Sequence, residues 1–326
     1  MGALDRLTGP LVAAGIAAAI ALPFWAPSPY AVYVAINAAL FTVAAMSLNL
    51  VYGFAGLLSF AQLGFWGIGA YVAAIGVKDL GLPIIPAFLL AGAVCAVVAA
   101  GVGHAALRLN RHSFVVVSIA FTLLVLTLAR DWTEVTRGAL GIPGLGLPRP
   151  FGLTPPGDSY YVALAFSLPA LGLLLVIARS RVGRTLLAIR QDESLARSHG
   201  IAPRAYRLFA FVVAAALTGI AGAIFVFHLT IVDPLILDIY YMQTFLIMVI
   251  LGGMGSFWGV VVAGILMSIL PEALRFSNDL RMILYGLLLI LAVTFMPYGF
   301  AGWLKARRGE VWRRATPATR LPAGDA

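Results

Sequence analysis

The chain has 326 residues, 62% of them hydrophobic and only 11% charged, and its mean hydropathy is +0.99. A composition this apolar at this length excludes a soluble globular domain and points to an all-α polytopic membrane protein. The formal net charge of +9 is then not a nucleic-acid footprint, because the arginines collect between and after the apolar spans, as cytoplasmic loops require. The single cysteine, Cys95, lies within an apolar run, so no disulfide framework is possible and it reads as a small core residue.

A transmembrane helix needs about 20 apolar residues to cross a ~30 Å hydrocarbon core. Taken in chain order, spans are expected at 10–27, 31–52, 57–77, 83–107, 113–129, 159–179 and 207–231. The first superficially resembles a signal peptide, but Pro23, Trp25 and Pro27 make a poor cleavage site, so it reads as a retained span. The apolar stretch from Ile239 to Pro271 is too long for one ordinary span and is broken by Gly252-Gly253-Met254-Gly255. Parity decides its reading. The arginine-rich segment 179–207 and the tail with Lys305, Arg307, Arg308, Arg313 and Arg314 should lie on the same, cytoplasmic side. Two segments, 239–252 and 256–271, plus a last span at 280–297 satisfy that requirement. The count becomes about ten, some short or broken, with both termini inside and a parity that fits an inverted repeat of two five-span halves. A re-entrant 239–271 remains the alternative. The expected organisation is a transmembrane domain over 1–304 with a cytoplasmic loop at 180–206 and an external loop at 131–158, followed by a basic cytoplasmic tail at 305–326. Glycines concentrate where helices would meet, most densely over 53–74, which suggests a tightly packed or re-entrant element.

The segment Arg179 to Arg207 is the only long polar stretch between two apolar spans, and it carries seven arginines against Asp192 and Glu193. Its middle predicts a short helix: Asp192 as N-cap, Glu193 in the first turn, Arg197 and His199 in the last, Gly200 as the left-handed stop and Pro203 beyond it. Two readings stand side by side. The segment is either a basic loop that only fixes topology, or a surface for another protein to push against.

Enzymatic chemistry finds no foothold. The only lysines are Lys78 and Lys305, and neither lies in a GxxxxGK[ST] loop. No HExxH, nucleophile elbow or metal-ligand cluster occurs, so no cofactor or metal is expected. Proton- or sodium-coupled transporters keep ionisable groups near mid-membrane, whereas His104 and His228 fall near span ends. The mid-span polar groups are neutral. Asn49, Ser59, Gln62, Gln243 and Thr244 are candidates for lining a path, or for simple interhelical hydrogen bonding. A path without its own coupling charges implies that energy is supplied from elsewhere.

Four stretches, GFAGLLSFAQLGFWGIGAYVAA (53–74), TRGALGIPGLGLP (136–148), GRTLLAIRQDESLARSHGIAPRAYRLFAFVVAAALTGIAGAIF (183–225) and GGMGSFWG (252–259), resemble the inner-membrane permease subunits of branched-chain amino acid ABC importers, and most closely the LivM-like member of the permease pair. The resemblance implies a permease that joins a second, related permease, two cytoplasmic ATP-binding subunits and an extracytoplasmic solute-binding protein, and works by alternating access. It places ATPase coupling on Asp192, Glu193, Leu195, Ala196, Arg197 and Gly200, and it implies Leu, Ile or Val as solutes. Departures at Gln191-Asp192, Ser256 and Val260 leave the substrate open to urea or short-chain amides, since permeases for these are similar. A self-contained channel or secondary transporter is the competing class, and an integral-membrane enzyme a weaker one.

Overall fold

The computed structural model describes residues 15–25, 28–147 and 157–273. The expected last span at 280–297, the tail at 305–326, the start of the first span and residues 148–156 of the external loop lie outside the described residues. Helix α1 (Gly15–Trp25) leads into α2 (Pro29–Asn49), whose Ser28 cap accepts from the Ala31 amide and whose Pro29 occupies the first turn without forfeiting a helical hydrogen bond. A π-helical turn (Leu50–Phe54) extends α2, and a non-helical stretch leads to α3 (Ala61–Lys78). The expected span at 57–77 therefore begins four residues late. Helices α4 (Ile84–Ala106) and α5 (Arg111–Asp131) follow. A short turn of helix, α6 (Thr133–Thr136), is followed by the two-residue strand β1 (Ile142–Pro143). Next come α7 (Gly157–Arg179), α8 (Arg181–Gln191), α9 (Glu193–Ser198) and α10 (Pro203–Leu229). After β2 (Ile231–Val232) and a 3-10 turn (Pro234–Leu237), α11 (Ile239–Gly252) and α12 (Phe257–Ala273) complete the described chain.

Burial sorts these helices. In the most apolar window, 72% of α2 (with its π-turn) and of α10 is buried, against 33% of α4, α5 and α7. The first two are the axis of the bundle; the others turn apolar surface outward, as helices facing lipid do. Glycine allows the axis to form. A Cβ on Gly69 would stand 2.0 Å from the Gly219 carbonyl oxygen, and one on Gly222 would stand 2.2 Å from that of Trp66. Backbones of α3 and α10 thus touch, the close approach that small residues permit in membranes. Around this contact Phe41, Trp66, Phe225 and Phe245 pack ring against ring, with centroids 5.1–5.9 Å apart. Cys95 is buried beside Gly219, and its Sγ donates to the Phe65 carbonyl.

The break inside 239–271 falls where the glycines lie. Gly253 and Gly255 take positive φ of 95° and 81°, and α11 and α12 fold back on each other, with Gly252 against Gly259 and Val260. The bundle has two distinct ends. At one, β1 pairs antiparallel with β2 (Ile142 opposite Val232) and Arg137 pairs with Asp79 at 3.1 Å. At the other lie α8, α9, the α4–α5 turn and the 252–255 turn.

Candidate functional site

The α8–α9 end is built from local rules outward. Ser180 caps α8, accepting from the Val182 and Gly183 amides. Gly183 is required there, since a Cβ would stand within 2.5 Å of the Ala178 and Ile177 carbonyl oxygens. Leu186 and Ile189 turn inward and are fully buried. The chain then bends at Asp192, whose extended backbone (φ −148°, ψ 110°) ends α8 and starts α9. Its carboxylate accepts from the Ser194 hydroxyl and from the Ser194 and Leu195 amides, at 2.7, 2.9 and 3.0 Å. These bonds favour the ionised form and hold the carboxyl below its ordinary value. The far end closes as a Schellman motif: Ile201 donates to the Ala196 carbonyl and Gly200 to that of Arg197, with Gly200 at φ +76°. The predicted short helix is thus present with both caps.

Its side chains are not all where the sequence suggested. Leu195 is exposed, but Ala196 is buried against the chain's own bundle, so it can hold α9 in place and cannot seat it in another protein. Glu193 does not reach outward either. One oxygen accepts from Arg197 at 2.5 Å and the other from Arg207, on α10, at 2.7 Å. Partial burial pushes the Glu193 carboxyl up, but the hydrogen bonds and charges of Arg207 and Arg197 outweigh it and hold the group below its ordinary value.

Two arginines that sequence reasoning did not single out organise this end. Arg207 is 6% exposed and tethers α9 to α10 through Glu193. The sign in the sequence was an arginine in register with Ala210, Phe211 and Ala214, the inward stripe of α10. Arg190, the last arginine of α8, donates to the Gly53 carbonyl in the π-turn and packs over Gly56. Its guanidinium also lies beside Gly255. Nothing local foretold that convergence, because the three segments are far apart in sequence.

The five neutral polar candidates are not brought together. Asn49 is fully buried and its amide is used as a clamp: Oδ1 accepts from the Gly255 amide at 2.9 Å and Nδ2 donates to the Ser256 carbonyl at 3.2 Å. Gln62 is buried between α3 and α10, where it accepts from Thr218 at 2.9 Å. Thr244 bonds back to the Tyr240 carbonyl in its own helix. Ser59 is buried, and Gln243 is exposed on α11. None of the five lines either the cavity beside α9 or the one between α3, α5 and the Pro234–Leu237 turn. The non-helical turn before α3 is satisfied by side chains of α5: Ser118 accepts from the Phe60 amide and Thr122 donates to its carbonyl, both at 3.0 Å. Irregular backbone within a bundle needs such partners. His104 is exposed at the end of α4, 2.8 Å from Arg108, and His228 stacks on Tyr33 near the end of α10.

Comparison with known proteins bears on this arrangement. Residues 30–293 match the family model described as branched-chain amino acid transport system / permease component. The chain is 31% identical over 306 residues to the high-affinity branched-chain amino acid transport system permease protein LivM of Escherichia coli (strain K12), covering 86% of this chain and 72% of that one. It is 28% identical over 283 residues to the corresponding permease protein BraD of Pseudomonas aeruginosa, covering 80% and 91%. It is 26% identical over 282 residues to LivH of Escherichia coli (strain K12), with the same two shares. No solved structure matches it.

Proposed function

This chain belongs to the family of branched-chain amino acid transport system permease components, and from that premise we propose how it takes part in transport. It is a LivM-like, multi-pass membrane permease subunit of an importer for Leu, Ile and Val. Its role is transport, not catalysis. The similarity to both LivM and LivH supports a second, related permease as its partner in the membrane. Two cytoplasmic ATP-binding subunits supply energy and an extracytoplasmic solute-binding protein delivers the solute.

The observation that carries the mechanism is α9. It is a capped, six-residue helix outside the apolar spans, presenting Leu195 outward while Glu193 and Ala196 fix it to the bundle. A helix so held passes displacement from an ATPase into α10, and the permeases rock between inward- and outward-open states. Orientation follows from charge: α8 and α9 lie on the cytoplasmic side of the inner membrane. The contact of Arg190 with Gly53 and its place beside Gly255 support a cytoplasmic position for the 252–255 turn as well. That in turn supports two crossings by α11 and α12, ten spans in all, and both termini inside. The joined strands at the other end support an external surface, made from 131–147 and 231–238, on which the binding protein docks.

Reconstitution decides the reading. Vesicles containing this chain, its partner permease, the ATPases and the binding protein should take up leucine only with ATP. Leucine uptake at the same rate by vesicles holding this chain alone would overturn it.

A further inference from the structure

A cavity of about 260 Å³ opens at the α8–α9 end, between the α4–α5 turn and the start of α10. Its floor is apolar, made of the buried Leu57, Leu107 and Phe114. Its walls are basic. Arg108 comes from the α4–α5 turn, Arg111 from the start of α5, Arg197 from α9, and Arg204 and Arg207 from the first turns of α10. The one carboxylate in the lining, Glu193, already accepts from Arg197 and Arg207 with its two oxygens.

Five guanidinium groups around one carboxylate leave a net positive hollow. The decisive feature is Arg207. It is 6% exposed, and its Nε and Nη2 are buried without a hydrogen-bond partner. Buried donors of a charged group are ordinarily satisfied, so a guanidinium that spends only one nitrogen on Glu193 is incomplete. Arg204 and Arg111 are exposed at the rim. The N-terminus of α10 adds positive potential there, since Ala202 provides no side-chain cap. Planar guanidinium groups converging on a hollow suit a tetrahedral oxyanion with several acceptors, and a carboxylate would leave more of them idle. The hollow also lies where α4, α5 and α10 end, the depth of lipid headgroups, and exposed Leu109 borders it.

We propose that this cavity is a phosphate-binding site, filled by the headgroup of an anionic phospholipid or by a soluble phosphate compound, with Arg207 as buried anchor and Arg111 and Arg204 as outer clamps. An occupied site would fasten the α4–α5 turn to α9 and α10.

The purified full-length chain tests this without any transport partner, so the outcome is independent of the transport reading. Wild type and the double variant Arg111→Gln/Arg204→Gln are compared in nanodiscs of phosphatidylcholine, with or without phosphatidylglycerol. Native mass spectrometry counts retained lipid, and thermal unfolding is followed in parallel. Wild type should retain phosphatidylglycerol over phosphatidylcholine by about tenfold, and the double variant should lose most of that preference. Sodium phosphate added to phosphatidylcholine discs separates the sources: if it stabilises wild type more than the double variant, and sodium chloride of equal ionic strength does not, a soluble phosphate compound fills the site. If the double variant is unfolded in phosphatidylcholine discs, Arg204→Gln alone is read in the same way. Equal behaviour of wild type and variant toward both probes overturns the proposal.

Discussion

Glu193 is the residue through which α9 is fastened to the bundle, and Glu193→Ala is the sharpest perturbation of it. In the wild type the Glu193 side chain is 29% exposed and Arg207 only 7%. Removing one partner of a fully buried pair costs about 3–5 kcal/mol, and an exposed pair is worth about 0–1 kcal/mol. With one partner buried and the other part-exposed, the loss of α9 docking should lie between, at about 2 kcal/mol. That is roughly a thirtyfold rise in the local opening equilibrium. Arg197, which is 56% exposed, sits on the other oxygen and belongs to the weak class, so Arg197→Ala should raise opening only about twofold. Amide hydrogen exchange of Leu195–Gly200 in the reconstituted chain measures both. Replacing the partners together, as Glu193→Ala/Arg207→Met, removes the stranded charge and should recover most of the lost protection. Exchange in Glu193→Ala within twofold of wild type, or equal effects of Glu193→Ala and Arg197→Ala, would refute the reasoning.

Acid should release the same contact. The folded-state carboxyl of Glu193 is held below its ordinary value of 4.5, so its contribution is fully present above that pH and is lost as pH falls through the lowered value; exchange protection of α9 should be flat from pH 7 to 5 and decline only below. Gly69→Ala should destabilise the bundle by about 3 kcal/mol, because its Cβ would meet backbone at Gly219; Gly101→Ala, with open space around it, should leave the thermal unfolding midpoint in detergent unchanged or slightly raised. Deleting 140–148 removes the strand that pairs with 231–232, and should abolish binding-protein-stimulated ATPase activity while the ATPases still co-purify.

Much of this architecture could be read from the sequence because it rests on local chemistry. The α9 caps needed only Asp192, Gly200 and their neighbours. The break near 252 needed only its glycines and the length of the apolar run. What escaped rests on tertiary contact. From sequence alone α8 reads as part of a basic loop, because its three arginines mask an inward stripe at Leu186 and Ile189 that becomes apolar surface only when α7 and α10 lie beneath it. Asn49 stands in the sequence as a candidate for lining a path, and the partners that claim its amide, Gly255 and Ser256, lie some two hundred residues away. The pairing of Glu193 with Arg207 likewise joins two segments through a bend at Gly200 that fixes direction but not destination.

Those distant contacts also constrain how force from α9 would spread under the proposed mechanism. Glu193 binds α9 to α10, and α10 is locked to α3 by backbone contact at Gly69 and Gly219. Arg190 binds α8 to the π-turn below α2, and Asn49 binds that same region to the α11–α12 turn. Asp192, between α8 and α9, is the narrow joint of both chains of contact. Its extended backbone is held by one side chain, and it is fully exposed. A push on Leu195 would therefore reach α10 and α3 through one arm and α2 and α12 through the other. The two arms also pack on each other through Phe41, Trp66, Phe225 and Phe245, so they would move together, while the bend at Asp192 sets the angle between α8 and α9. Rigid-body rocking under the proposed mechanism fits that arrangement: arms made stiff by close contacts and joined along the axis of the bundle, so that displacement of α9 is shared by the whole of it.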